Sequence, residues 1–446
     1  MRNLGTIFRK EFAAYFISPI AYIFIIVFQV MSCGIFMTNF FIMQRADMRN
    51  YFYTLPWIVI VFIPAITMRL WSEERKTGTI ALLQSFPMTS LQLVLGKYLA
   101  GLAFYAISVA GTFPIPIMLS IIGSPDWGTV IGGYLGALLL GMFYLAVGIF
   151  ISAFFNDQIV SFILSMVLCF IFFMLGTDYI ATFIDSWIPQ FGSMLSNTLG
   201  VASHFSAIGR GVIDLKDIIY FLSFTAAFLI LNTGTLDSSI KLHSRKKLAV
   251  NCAVVFGVAI VINVLVTPWH VGRFDLTKNN IYTISSSAKK ILGRLKNVPL
   301  EITYYVTPKS KMPTALRTLE QDVVDKLKEL QHLNKNIKIT VIDPTKGIED
   351  IGVGKDTEEL AKKIQEKVET LQKKGIVPFN AQSIERDSFN IKRVYSALSI
   401  AYLDKKEEVI PQVIPDNLNT MEYELVSRIY RMTLEKLPKV GVFFVT

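Results

Sequence analysis

The sequence predicts a mainly α membrane bundle of six spans plus one linking span. An extracytoplasmic α/β domain with a partly parallel sheet follows, cut short at its C-terminus. Three observations carry this reading. The 446 residues are 52% hydrophobic and only 17% charged, and mean hydropathy is +0.47, too apolar for a soluble protein of ordinary composition. The charges are unevenly placed, 26 in the first 267 residues and 52 in the last 179. Seven segments reach the ~20 apolar residues a spanning helix needs. Together these exclude a purely soluble enzyme, a disordered chain and a fibrous one. The domains divide as 1–240 (transmembrane), 241–270 (linking helix) and 271–446 (extracytoplasmic).

The elements follow in order. Leu4, Ile7, Phe8, Phe12 and Phe16 fall on one face of an N-terminal helix that lies in the membrane interface, with Arg2, Arg9, Lys10 and Glu11 among them. The predicted spans are Ile20–Met43, Tyr53–Arg69, Leu93–Ile122, Val130–Phe155, Ile159–Ile180, Ile218–Leu236 and Leu248–Pro268. Pro56 and Pro64 place the second span inside the bundle, where neighbours satisfy the freed carbonyls. Lys/Arg residues in short loops orient the bundle: 11 fall inside and 4 outside when the N-terminus is cytoplasmic. The C-terminal domain is then periplasmic. Residues 181–216 predict one or two short re-entrant or interfacial helices on the outer side.

Beyond residue 271 the pattern alternates. Leu300–Val306 and Ile337–Ile342 read as strands, with a helix from a Thr314 cap to Leu333 between them. Asp356, with Glu359 as its capping-box partner, opens a helix through Lys374 that ends at Gly375. Ala397–Leu403 and Glu408–Ile414 read as a hairpin whose second strand Pro411 confines to an edge. A helix over Glu422–Leu437 and a doubly buried strand at Val440–Val445 follow. A central strand with nothing to cover it suggests a chain continuing beyond Thr446.

The most informative loop runs from Trp71 to Ser90. Ser72 with Glu73 and Glu74 reads as a helix start. Gly78 permits a break, and Thr79 caps a second short helix presenting Ile80, Leu82, Leu83 and Phe86. Pro87 stops it, and Thr89 with Gln92 forms a capping box that launches the third span. Such an element, held at both ends, fits a groove on a cytosolic partner; an ordinary interfacial loop helix is the plainer alternative.

These residues carry a resemblance. The run Glu73-Glu74-Arg75-Lys76-Thr77-Gly78-Thr79-Ile80, with Leu82-Leu83 and then Pro87 through Gly96-Lys97, resembles the coupling-helix region of type-2 ABC permeases. The segment from His204 to Tyr220 resembles the gliding-motility branch of that family. From about Arg245 onward, a lone span followed by Arg273-Phe274-Asp275-Leu276-Thr277 and an α/β domain is similar to the gliding-motility auxiliary component, whose outward domain has a glutamine-amidotransferase-like fold. The resemblance implies a permease and auxiliary fused in one inner-membrane chain. It implies coupling through Glu73, Glu74, Arg75, Thr77, Gly78, Leu82, Leu83 and Phe86 to a cytosolic nucleotide-binding ATPase subunit, which holds the ATP and Mg. It also implies a second permease copy and export or gliding-motility work. No cofactor is expected on this chain.

Other functions fare worse. No phosphate loop occurs; the run from Gly347 to Lys355-Asp356 has the wrong spacing and the wrong last residue. The outward domain has no cysteine nucleophile, and His270 and His332 read as structural, which disfavours a membrane-tethered hydrolase. Cys33, Cys169 and Cys252 sit in apolar runs and form neither a disulfide framework nor a metal cluster. No Lys/Arg block with interleaved aromatics accompanies the +10 charge, so nucleic acid is not an expected partner. Gly132 and Gly136 read as packing within the bundle rather than a dimer seam. Lys97 and Asp178 lie toward span ends, so no proton relay is expected. The competing class is a non-transporting membrane anchor whose outward domain binds envelope or motility components.

Overall fold

A computed structural model describes residues 2–43, 47–188, 191–240, 245–266, 273–278, 283–293, 299–308, 312–313, 316, 319–334, 336–344, 368–385, 388–403, 405 and 407–434. The chain divides into two compact units, Met1–Lys278 and Asn279–Thr446.

The first unit is helical. Its elements are α1 (Arg2–Ile17), α2 (Pro19–Met43), α3 (Arg49–Thr67), α4 (Arg69–Thr77), α5 (Thr79–Ser85), α6 (Ser90–Ala110), α7 (Pro114–Ile122), α8 (Trp127–Ser152), α9 (Gln158–Leu175), α10 (Asp178–Asp185), α11 (Phe191–Leu199), α12 (Val201–Gly209), β1 (Val212–Asp214), α13 (Leu215–Ile240), α14 (Arg245–Val266) and β2 (Arg273–Asp275). Among the described residues six helical stretches are long and apolar enough to cross a membrane: Ala21–Phe41, Arg49–Thr77, Ser90–Ile122, Trp127–Ser152, Gln158–Leu175 and Leu215–Asp237. The predicted linking span coincides with α14, whose described apolar run, Val250–Val266, is shorter than these six stretches.

α8 is the axis of the bundle, buried along most of its length. Its glycines allow that. A Cβ at Gly133 would sit inside the Phe52 ring of α3, and one at Gly141 inside the Tyr105 ring of α6. Lipid supplies no hydrophobic drive between helices, so close backbone approach supplies the dispersion contact instead. Gly132 and Gly136 face Ile208 of α12, which agrees with packing inside the bundle. α3 is buried around Pro56 and Pro64, as the prolines predict. On α1, Ile7 and Tyr15 are buried and Phe8, Phe12 and Phe16 pack beside them.

Three local features differ from the sequence reading. The third span is broken: α6 ends at Ala110 and α7 restarts at Pro114, because proline lacks the donor that would continue the ladder. Gln29 Nε2 donates to the freed Ser108 carbonyl at 2.6 Å. The fifth span ends at Leu175, earlier than predicted, since Gly176 turns against Gly200 and Ala202. Residues 181–216 hold most of α10, all of α11 and α12, and the short strand β1, more than the one or two helices predicted. β1 pairs antiparallel with β2, Ile213 opposite Phe274.

The second unit contains α15 (Ser286–Leu292), β3 (Leu300–Val306), α16 (Leu319–Leu333), β4 (Ile337–Ile342), β5 (Phe379–Glu385), β6 (Ser388–Val394), β7 (Ser396–Tyr402), β8 (Glu408–Ile410) and α17 (Leu418–Thr433). Four strands form one sheet in the order β4-β3-β7-β8. β3 and β4 are parallel, while β7 is antiparallel to both β3 and β8, so the sheet is partly parallel as predicted. β3 and β4 have the predicted bounds. β8 stops at Ile410 because Pro411 removes the next donor. α16 and α17 pack Val323, Leu327, Leu425 and Ile429 onto Leu300, Ile302 and Tyr304. The sheet's other face packs Tyr305 and Ala397 against Leu371 and Ile376. The hairpin β5–β6 was not anticipated; Phe379, Ala381 and Val394 pack on the core of this unit, but the alternation Phe379-Asn380-Ala381-Gln382 is too short and too polar to mark a strand.

Gly375 ends the helical turn 368–373 with φ +86°, the expected left-handed cap. The start of that helix at Asp356, the Thr314 cap, the run from Gly347 to Lys355 and the strand Val440–Val445 lie outside the described residues.

Gly133→Val should drive a side chain into Phe52 and separate α8 from α3. The expected loss is about 1–3 kcal/mol, as for overpacked cores, read as a lowered melting midpoint in detergent.

Candidate coupling site

The loop between the second and third spans is built from α3 onward. α4 follows α3 with only Met68 between them, and Met68 N–H donates to the Pro64 carbonyl at 2.9 Å. Ser72 is therefore mid-helix; its hydroxyl donates back to the Met68 carbonyl. The expected helix start at Ser72-Glu73-Glu74 is not there, because burial of Leu70 and Trp71 carries the helix through. Those acids instead lie in the last turns of α4. Gly78 ends it with φ +74°, a backbone region that disfavours side chains. Thr77 Oγ1 donates to the Glu73 carbonyl at 2.9 Å, satisfying one of the last-turn acceptors.

α5 then runs to Ser85, and Phe86 is extended before Pro87. Its N-cap is Gly78 rather than the Thr79 side chain. Leu82 is 61% exposed and Phe86 49%; Leu83 and Ile80 are half-buried. The predicted capping box is present. Gln92 N–H donates to Thr89 Oγ1, and Thr89 N–H to Gln92 Oε1, both at 3.3 Å. α5 is thus a short apolar rung between a glycine hinge and a capped helix start.

The residues predicted for this site separate into two groups. Glu73, Thr77, Gly78, Leu82 and Phe86 face solvent, with Leu83 partly covered. Glu74 turns inward. Its Oε1 lies 2.7 Å from Lys97 Nζ, which is also 3.1 Å from Glu11 Oε1. The Lys97 side chain is 3% exposed and sits 5.0 Å from the Trp71 ring centroid. One buried ammonium therefore joins α1, α4 and α6. Arg75 is half-buried, with an unpartnered Nε.

The sequence reading missed this triad. It treated Lys97 as a span-end residue and Glu11 as polar scenery. A signal was available: Glu11 lies four residues after Ile7 and four before Tyr15, on the buried face of α1. Gly96, beside Lys97, admits the close approach, since a Cβ there would press on Ile7.

A second buried polar cluster was also unmarked. His204 Nδ1 lies 2.6 Å from Asp217 Oδ1, and Nε2 lies 3.0 Å from the Asn197 carbonyl. The ring stacks on Tyr220 at 4.0 Å between centroids, and Tyr220 donates to the Leu199 carbonyl at 2.7 Å. This pins α11, α12 and α13 together. Asp178 opens α10 rather than sitting in a span. Among the described residues no group of three or more His, Cys, Asp or Glu is placed to hold a metal ion.

Residues 44–233 match a family model described as ABC-2 family transporter protein. Residues 278–401 match a model described as a domain of unknown function, DUF7088. No curated protein matches the chain. The first match runs through α3 to α13 and contains both the α4–α5 loop and the His204–Asp217 pair. Residues 44–233 therefore carry a membrane domain of the ABC-2 transporter type, a transport component. Membrane domains of this kind work in the bilayer with a cytosolic ATPase.

Removing the shared cation isolates two carboxylates. Lys97→Met should destabilise the bundle by about 3–5 kcal/mol, the usual result of breaking a buried pair. The triple variant with Glu11→Gln and Glu74→Gln should recover most of that loss, as followed by thermal unfolding in detergent.

Proposed function

We propose that this chain is the permease subunit of an ABC exporter or of gliding-motility and envelope machinery, and that a separate cytosolic ATPase drives it through α5. In this reading the ATPase holds the ATP and Mg. Two permease copies complete the unit, which sits in the inner membrane with the N-terminus cytoplasmic and the C-terminal domain periplasmic. The observation that supports it is the exposed pair Leu82 and Phe86 on a rung fixed at both ends. An apolar pair presented this way fits a pocket on a partner, where buried anchors dominate binding. Glu73 stands beside it as a charged contact.

The structure also chooses the cleaner test. Glu74 is engaged with Lys97, so reversing its charge would damage the bundle itself. Glu73→Lys and Leu82→Glu touch only the exposed surface. Either variant should insert normally, yet lose co-purified ATPase by more than about tenfold, on the order of a hot-spot residue. Unchanged co-purification and ATPase stimulation would sink this reading.

A further inference from the structure

The helix α14 and the segment after it are attached to the rest of the first unit by more than their peptide bond. β2 adds to β1 with Val212 opposite Asp275 and Asp214 opposite Arg273. Leu276 N–H donates to the Gly211 carbonyl at 2.9 Å. Lys278 N–H donates to Asp126 Oδ2 at 3.1 Å. That same carboxylate caps α8, accepting from Gly128 N–H and from Thr129 Oγ1, each at 3.0 Å.

The fit is close at the backbone. A Cβ at Gly128 would occupy the place of the Leu276 carbonyl, and one at Gly211 would press on Thr277. Thr277 is buried. Asp275 Oδ1 accepts both its N–H, at 3.0 Å, and its hydroxyl, at 2.5 Å, which fixes the turn that delivers Lys278 to Asp126. Deeper in the bundle, Asn263 Nδ2 donates to Ser223 Oγ at 2.9 Å. Phe256 meets Phe228 edge-on at 4.9 Å.

We propose that β1 and the α8 N-terminus, with Gly128, Gly211 and Asp126, form a docking site for the extended segment Arg273–Lys278. The site holds that segment by strand addition and a shared helix cap. Its occupant is a membrane helix followed by a strand of the Arg-Phe-Asp-Leu-Thr type, and the contacts do not need residues 241–244 to join the two. This inference concerns assembly and does not depend on the transport reading.

The test uses the full chain with a protease site inserted between Ile240 and Arg245. After cleavage in mild detergent, the fragment beginning with α14 should remain bound to the N-terminal fragment through affinity purification. Leu276→Pro removes the donor to Gly211 from the strap side and leaves the N-terminal fragment unaltered; it should lower retention at least fivefold. Gly128→Val attacks the same contact from the other side and should act alike. Separation of the unsubstituted fragments on cleavage would overturn the proposal. So would full retention with Leu276→Pro, since α13–α14 packing alone would then explain the attachment.

Discussion

Everything at the α4 end of the bundle depends on one ammonium group shared between two carboxylates. Lys97 lies two turns into α6 and is almost fully buried, where an unpaired charge would be very costly. Glu74 and Glu11 meet that need from two different elements, and the Trp71 face covers the ammonium. The consequence is geometric. α1 cannot drift off α6, nor α4 off α6, without stripping a buried cation. A short amphipathic helix that would otherwise lie loosely in an interface becomes part of the bundle, further held by Tyr15 stacking on Phe104 and by Arg69 over the Tyr15 ring.

The remainder of the bundle is organised by size rather than charge. α8 has small residues wherever a neighbour crosses, so aromatic rings from α3 and α6 reach its backbone. Rings then fill the space that the glycines open: Phe143 touches Phe172, Phe224 and Phe228 from two other helices. The least buried of the six spans, α2 and α9, keep long apolar side chains on their outer faces, as lipid contact demands. The glycine-rich α8 is the most buried of the spans, as expected where no hydrophobic drive acts inside a bilayer and close backbone approach supplies the contact.

Much of this was legible in the sequence, for reasons specific to each element. The spans stood out because a bilayer tolerates only long apolar helices, and the capping box at Thr89 because its chemistry is local. The parallel pair β3–β4 followed from strand-helix-strand order. What was not legible depended on distant partners. Ser72-Glu73-Glu74 has every local mark of a helix start, yet burial of Leu70 and Trp71 carries the preceding helix through it. Glu11 and Lys97 are 86 positions apart, and no short-range pattern pairs them. β1 and β2 are three residues each and become strands only by meeting one another.

These features bear on how a displacement at α5 would travel in the proposed complex. α3 contains two prolines, each removing a ladder hydrogen bond, so it is the compliant member of the group. α8 lacks proline and is buried along most of its length, so it resists bending. Between them stands α4, nearly continuous with α3 and clamped to α6 through Lys97. In the proposed complex a push on α5 would be delivered to α4 and α6 together, and the first place for the chain to yield would be the proline-bearing segment Pro56–Pro64. Motion in that complex would emerge there because the ion triad denies it an earlier outlet, which would make the buried lysine as much a part of the transmission as the exposed rung.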